Sequence, residues 1–209
     1  MQEIAELSTP TSKSMTQAWL LDFDGTIAQL EHVVDWAGGR RILEPYLRSV
    51  GAPEELFSQI PRGNLPLYDA YRARLETGRA LDIISVTVLS KASEIIEQIE
   101  MAGVGRAEPL AGATDLIARL RAEGAKLAVV TSNSSRTVTH WFDTMKISRP
   151  IAIVGRDSIL ALKPSPAMIH RALELLSASP GEATFVGDSI ADALAARAAG
   201  VRFFGIATG

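Results

Sequence analysis

Two aspartates of the sequence, Asp22 and Asp24, have the type and the spacing that acid–base or metal chemistry requires. They follow a short apolar run and precede Gly25 and Thr26, so they are expected at the carboxyl end of a buried strand. Alternate residues of a strand point to the same side, so both carboxylates would face one crevice, where a cation or hydrogen-bond donors must offset their burial. Taken alone, this Asp-X-Asp-Gly segment also fits an ordinary strand-ending turn.

Two further polar segments lie where a predicted helix begins. Thr131, Ser132 and Asn133 end another apolar run and bring hydroxyl and amide groups to a helix start, where anions bind readily. The alternative interpretation of these three residues is a plain helix N-cap. Lys163, followed by Pro164, precedes a later helix and offers a point charge to an oxyanion. Most lysines are simply solvated, so Lys163 is uninformative by itself.

The last polar segment contains Gly187, Asp188 and Ser189, with Asp192 four residues after Asp188. Asp188 is expected at the sheet edge that faces the first aspartates, because ligands of open α/β sheets lie beyond the carboxyl ends of strands. Asp192 would lie one helical turn behind it. A capped helix with an acidic first turn is the alternative. Four such polar segments that converge on one crevice favour a catalytic site over four unrelated caps.

Short apolar runs alternate with helical patterns along the part of the chain that must position these residues. Continuous apolar runs are typical of strands buried on both faces, and the sequence has five: residues 18–21, 127–130, 151–154, 184–186 and 201–206. The helical stripes between them end at glycines such as Gly124 and Gly200. Strands that alternate with helices predict an α/β fold with a parallel sheet covered on both faces.

Residues 29–105 interrupt this alternation and predict an all-helical insertion between the first two strands. Apolar residues at helical spacing end at Gly51, and a new helix is expected after Pro53. Residues 61–66 are expected to form a loop. Residues 83–88 are rich in β-branched side chains and fit a helix or a strand. The core is then discontinuous, with residues 1–28, of which 1–15 are expected to be a loose tail, and residues 106–209.

Composition excludes several classes of protein. With 209 residues, 47% of them hydrophobic and 22% charged, the chain is not largely disordered. Its net charge of −3 offers no positive electrostatic field that would attract the phosphates of a nucleic acid. No apolar run approaches the roughly 18 residues of a membrane span. The absence of cysteine excludes a disulfide scaffold, a thiolate metal site and a cysteine nucleophile, and it suits a cytoplasmic protein. The sequence does not indicate the oligomeric state.

The motifs in this order resemble those of the haloacid dehalogenase superfamily, above all its phosphoglycolate-phosphatase-like members with a helical cap after the first core strand. The resemblance extends from about residue 19 to residue 209, although many relatives continue for another strand and helix, which leaves a compact or a truncated member open. It implies a Rossmann-like three-layer core with a mostly parallel sheet plus a small all-helical cap domain. It also implies a phosphatase that uses magnesium and hydrolyses a small phosphorylated metabolite through an aspartyl phosphate. A phosphomutase and a non-catalytic binding or regulatory member remain alternatives.

The resemblance also implies a role for each polar residue. Asp22 would be the nucleophile and Asp24 the general acid and base, an arrangement typical of phosphatases and mutases. Thr131 and Lys163 would stabilise the transferred phosphoryl group. The implied ligands of Mg²⁺ are Asp22, the backbone carbonyl of Asp24 and Asp188, with Asp192 orienting a metal-bound water. The implied phosphate-binding residues are Asp22, Gly25, Thr131, Ser132, Asn133 and Lys163.

Overall fold

A five-stranded sheet forms the centre of the computed structural model, which describes residues 18–77 and 80–208. The strands are β1 (Ala18–Leu21), β2 (Lys126–Val130), β3 (Ala152–Val154), β4 (Ala183–Gly187) and β5 (Arg202–Gly205). They lie in the order β3-β2-β1-β4-β5, and every pairing is parallel. The predicted α/β fold and its five strands are confirmed, with strand ends that differ by about one residue. The tail predicted at residues 1–15 lies outside the described residues.

Four helices cover the two faces of the sheet: α5 (Ala113–Ala122), α6 (Ser135–Thr144), α7 (Ala167–Leu176) and α8 (Ile190–Ala199). Side chains of β1 alternate between two apolar clusters: Leu20 belongs to the cluster that includes α7 and α8, and Leu21 belongs to the cluster that includes α5 and α6. The core therefore has three layers, and the carboxyl ends of its strands meet at one edge of the sheet.

The other helices, α1 (Trp36–Ser49), α2 (Glu54–Gln59), α3 (Asn64–Glu76) and α4 (Ile83–Val104), form a helical insertion between β1 and β2. The loop predicted at residues 61–66 is too long, because α3 begins at Asn64. Pro66 lies in the first turn of α3, where a backbone N–H has no acceptor within the helix, so proline is tolerated. The alternative of a strand at residues 83–88 is wrong. Asp82 caps α4 by accepting a hydrogen bond from the Ser85 N–H at 2.8 Å.

Helix α4 joins the insertion to the core. It packs against α1 and α3 on the insertion side, and against α6 and a 3₁₀ turn at Arg156–Ser158 on the core side. At Gly103 of α4 a Cβ atom would lie 2.3 Å from the Val33 carbonyl oxygen, so only glycine allows this close approach. Within residues 18–77 and 80–208, no helix has the length and apolar character that crossing a bilayer requires.

Candidate active site

A tight turn after β1 presents the two aspartates predicted as catalytic. The N–H groups of Thr26, Ile27 and Ala28 all donate to the Phe23 carbonyl oxygen, at 3.2, 2.8 and 3.0 Å. Gly25 takes φ +75°, and a Cβ atom there would lie 2.4 Å from Asp188 Oδ2. Glycine is therefore required twice over, for the left-handed backbone and for the approach of this turn to the end of β4.

The predicted cation Lys163 lies between two carboxylates. Its Nζ is 2.7 Å from Asp22 Oδ1 and 2.5 Å from Asp192 Oδ1, and the Lys163 side chain is 5% exposed. Burial opposes the charged ammonium, but the two carboxylates outweigh it and raise the pKa of Lys163. The ion pair to Asp22 agrees with the proximity that the sequence predicted. The ion pair to Asp192 was not predicted.

The carboxylates of the site carry more negative charge than Lys163 can balance. Burial raises the pKa of Asp22 to about 7; Lys163 lowers this pKa and Asp192 raises it. Burial also raises the pKa of Asp24, although the Leu30 N–H donates to Asp24 Oδ1 at 2.8 Å and partly offsets it. The pKa of Asp188 is raised for the same first reason. A further cation would offset this excess negative charge, since an opposite charge nearby favours the ionised form of a carboxylate.

Three of these carboxylates could share a metal ion. Asp22, Asp188 and Asp192 each offer an oxygen, and the three oxygens lie within 4.8 Å of one another. An all-oxygen donor set is what the hard cation Mg²⁺ prefers. The Asp24 carboxylate is not part of this group among the described residues; the sequence had assigned its backbone carbonyl to the metal. The donor chemistry and the raised pKa values therefore fit a divalent cation.

Asp192 is held rigidly beneath the end of β4. Its Oδ2 accepts from the Ser189 N–H at 3.0 Å and from Ser189 Oγ at 2.6 Å, in a reciprocal capping box that starts α8. A Cβ atom on Gly187 would lie 2.6 Å from that same Oδ2. Because Oδ2 is engaged with Ser189, the other oxygen, Oδ1, is directed at Lys163. Asp192 thus combines the cap that the sequence suggested with a contact to the predicted phosphate-binding lysine.

The loop after β2 brings the predicted residues Thr131, Ser132 and Asn133 to the same edge. Thr131 Oγ1 donates to Asn133 Oδ1 at 3.0 Å and accepts from the Asn133 N–H at 3.1 Å. The single hydroxyl proton of Thr131 is thereby directed toward Asn133. Ser132 differs, because it lines a cavity of about 410 Å³ together with Lys163. Ser132 is therefore the residue of this loop that borders the same cavity as the lysine.

Two cavities border the site. The first, of about 300 Å³, is lined by Asp24, Asp188 and polar residues near the start of the insertion, including Gln29 and His32. The second is the cavity of about 410 Å³ that contains Ser132 and Lys163, and α3 forms its other wall. The first cavity therefore reaches Asp24 and Asp188, and the second reaches Ser132 and Lys163.

Sequence reasoning missed Glu100 and Arg156, a completely buried ion pair next to this loop. Arg156 Nη1 lies 2.7 Å from Glu100 Oε1, and both side chains are 0% exposed. Glu100 comes from α4 of the insertion and Arg156 from the core. The signal in the sequence was the position of Glu100, four residues after Ile96 on the buried stripe of α4, where an acidic residue is unusual.

Comparisons with known proteins agree with this arrangement. The family model described as "Haloacid dehalogenase-like hydrolase" matches residues 19–206. A protein of Pseudomonas putida named "Probable phosphoglycolate phosphatase" is 35% identical over 99 residues, which are 47% of this chain and 39% of that protein. The chain therefore aligns with about two fifths of the length of this relative. "Protein CbbY" of Rhodobacter capsulatus is 27% identical over 204 residues, or 89% of this chain and 83% of that protein.

A solved structure shows the same overall arrangement. The crystal structure of CbbY from Rhodobacter sphaeroides in complex with phosphate superimposes with a TM-score of 0.59 at 25% sequence identity. The superposition covers 90% of this chain and 85% of that chain. The likeness includes the helical insertion as well as the sheet, since it extends over nine tenths of the molecule.

Proposed function

Since the chain belongs to the haloacid dehalogenase-like hydrolase family, we propose that it is a Mg²⁺-dependent phosphatase that hydrolyses a small phosphomonoester through an aspartyl phosphate. The observation that most supports this proposal is the buried contact of 2.7 Å between Lys163 and Asp22, beside the carboxylates of Asp188 and Asp192. A nucleophilic carboxylate, a fixed cation and a cluster of oxygen ligands are what phosphoryl transfer needs in one place.

In the first step, an oxygen of Asp22 attacks phosphorus and the bond to the leaving oxygen breaks. Asp24 donates a proton to that leaving oxygen, and its raised pKa favours the protonated form needed for this role. In the second step, Asp24 takes a proton from water, and the water oxygen attacks the phosphorus of the aspartyl phosphate. Orthophosphate leaves and the Asp22 carboxylate is restored.

Lys163 and the loop after β2 would stabilise the phosphoryl oxygens during both steps. Lys163 supplies positive charge from a position fixed by Asp192, so little reorganisation is needed. Ser132 already faces the cavity. Thr131 Oγ1, which accepts from the Asn133 N–H, would contact phosphate by turning its hydroxyl proton from Asn133 Oδ1 toward a phosphoryl oxygen. Gly25 allows the turn after β1 to approach the ligand closely.

The residues that would hold Mg²⁺ are Asp22, Asp188 and the backbone carbonyl of Asp24, and Asp192 is close enough to share its water shell. A bound Mg²⁺ supplies positive charge that offsets the phosphoryl group and the clustered carboxylates. The raised pKa values of Asp22 and Asp188 are consistent with this assignment, because burial, and to a smaller extent the Asp192 carboxylate, disfavours their charged forms unless a cation is bound.

We assign residues 29–105 to a cap that excludes bulk water and selects the substrate, over a core of residues 1–28 and 106–209. The contact between Asp69 Oδ1 of α3 and the Leu162 N–H, at 3.1 Å, brings the insertion to the residue before Lys163. The substrate would be a small phosphorylated metabolite, and the name of the Pseudomonas putida relative makes phosphoglycolate a candidate. The absence of cysteine agrees with a cytoplasmic location for this enzyme.

The direct test compares Asp22→Asn with the unaltered protein in a panel of phosphorylated metabolites, with and without Mg²⁺. We expect release of orthophosphate that needs Mg²⁺ and is abolished in Asp22→Asn, while circular dichroism shows that the variant folds. Asp115→Asn, the same change on the exposed first turn of α5, is the matched control and retains activity. Undiminished turnover by Asp22→Asn would exclude the mechanism. Transfer of phosphate to a second hydroxyl, without net release, would identify a phosphomutase.

A further inference from the structure

We propose that Glu100, supplied by the helical insertion, is a positioning residue that holds residues 131–134 in the shape that binds phosphate. The inference rests on the proposed function for that loop, but it concerns a residue outside the four motifs. Glu100 does not reach the reacting atoms. It acts through Asn133 and Arg156, which hold Thr131 and Ser132 in place.

Glu100 makes five hydrogen bonds, which occupy both of its carboxylate oxygens. Oε1 accepts from Asn133 Nδ2 at 3.1 Å and from Arg156 Nη1 at 2.7 Å. Oε2 accepts from the Ser134 N–H at 3.1 Å, Thr137 Oγ1 at 2.9 Å and Arg156 Nη2 at 3.2 Å. Arg156 balances the charge of the buried Glu100 carboxylate, and every lone pair of its two oxygens accepts a hydrogen bond. The carboxylate is therefore held in one position.

Arg156 extends the same network to the backbone of the loop. Its Nη1 donates to the Ser132 carbonyl oxygen at 2.7 Å, and its backbone N–H donates to the Asn133 carbonyl oxygen at 2.9 Å. On the far side, Nε and Nη2 contact the side chain and the carbonyl of Ser93, each at 3.2 Å. The guanidinium therefore lies between α4 and the loop and binds both.

These contacts fix one peptide unit of the loop at both ends. The Ser132 carbonyl and the Asn133 N–H belong to the same planar peptide. Arg156 holds the carbonyl end at 2.7 Å, and Thr131 Oγ1 accepts from the N–H end at 3.1 Å. The bond from Asn133 Nδ2 to Glu100 also decides which end of the Asn133 amide faces Thr131. Without Glu100 the amide is free to turn over, and Asn133 Nδ2 instead of Oδ1 would then face Thr131 Oγ1, which changes how this hydroxyl is held.

A purely structural ion pair is the competing explanation, and kinetics measured on folded variants separate the two. Glu100→Gln keeps the size of the side chain but places an amide against Asn133 and Arg156, so the loop loses its fixed shape. We expect kcat/KM to fall about 10- to 100-fold, the range typical of residues that orient a contacting group. The dissociation constant of orthophosphate should rise in parallel. Glu94→Gln is the matched control, because it makes the same change on the exposed face of α4, where Glu94 pairs with Lys91 and does not contact the loop. This control should retain kcat/KM within about twofold.

A second variant keeps the proposal testable if Glu100→Gln does not fold. The double change Glu100→Gln and Arg156→Met removes both buried charges together, which proteins often tolerate. This variant should fold by circular dichroism and still show reduced kcat/KM and weaker orthophosphate binding. Folded variants with the kinetics and phosphate affinity of the unaltered protein would overturn the inference alone. If the unaltered protein neither turns over phosphomonoesters nor binds orthophosphate, the proposed function fails and the inference fails with it.

Discussion

Replacing Lys163 with methionine tests the electrostatic design of the site most directly. The side chain of Lys163 is almost completely buried and contacts Asp22 and Asp192 at 2.7 and 2.5 Å. Methionine keeps most of the apolar stem and removes only the ammonium. The buried carboxylates then lose their shared counter-charge, while the packing around them changes little.

The size of the effect follows from these contacts. Removing one partner of a buried ion pair costs roughly 3–5 kcal/mol. The cost falls at the lower end here, about 3 kcal/mol, because Asp22, with a pKa already raised to about 7, takes up a proton instead of remaining a lone buried anion. At roughly 2–4 °C per kcal/mol for a domain of this size, Tm should fall by about 6–12 °C. Loss of a cation that stabilises the phosphoryl group should also lower kcat by about 10²- to 10³-fold.

Thermal unfolding in the presence of EDTA measures the first effect, and orthophosphate release at a temperature well below Tm measures the second. Lys91→Met is the control, since Lys91 is exposed and its ion pair with Glu94 on the surface of α4 is screened by solvent. If Lys163→Met melts within about 2 °C of the unaltered protein and retains its kcat, the buried ion pairs are neither structural nor catalytic and the reasoning is refuted.

Two other expectations follow from the same cluster. Asp24→Asn should lower kcat/KM, which reports the first phosphoryl transfer, by about 10²- to 10⁴-fold for alkyl phosphates. The loss should be smaller for p-nitrophenyl phosphate, whose leaving group needs no proton. An equal loss of kcat/KM for both substrates would argue against Asp24 as the acid. Added Mg²⁺ should raise Tm, because it binds the folded state and relieves the repulsion among Asp22, Asp188 and Asp192. Calorimetry should detect weaker Mg²⁺ binding by the Asp188→Asn variant than by the unaltered protein. An unchanged affinity for Mg²⁺ would exclude Asp188 as a ligand of the metal.

The strands and the four motifs were predictable because both depend on local sequence. A continuous apolar run such as residues 127–130 has few alternatives to a buried strand, and the carboxyl ends of parallel strands must share one edge. Helix α4 was ambiguous because the β-branched residues 83–88 favour a strand locally. The cap at Asp82 and the burial of one face of α4 against α1, α3 and α6 outweigh that preference.

The contacts between motifs were not predictable to the same degree. The ion pair of Lys163 with Asp192 depends on how α7 and α8 pack on the sheet, and no local pattern encodes that distance. The family resemblance implies that Asp192 orients a metal-bound water. The structure adds a direct contact with Lys163, and the capping box with Ser189 leaves Oδ1 free to make it.

The buried pair of Glu100 and Arg156 links the two sides of the boundary predicted at residue 105 between the helical insertion and the core. That boundary follows chain order, and it assigns all of α4 to the insertion and residues 131–134 to the core. All five hydrogen bonds of Glu100 cross it: two end on Asn133 and Ser134 of the loop proposed to bind phosphate, one on Thr137 of α6 and two on Arg156. Separating the two would strand a buried charge on each side. Under the proposed function, the insertion therefore contributes Glu100 to the support of the phosphate site, although chain order places this residue in α4.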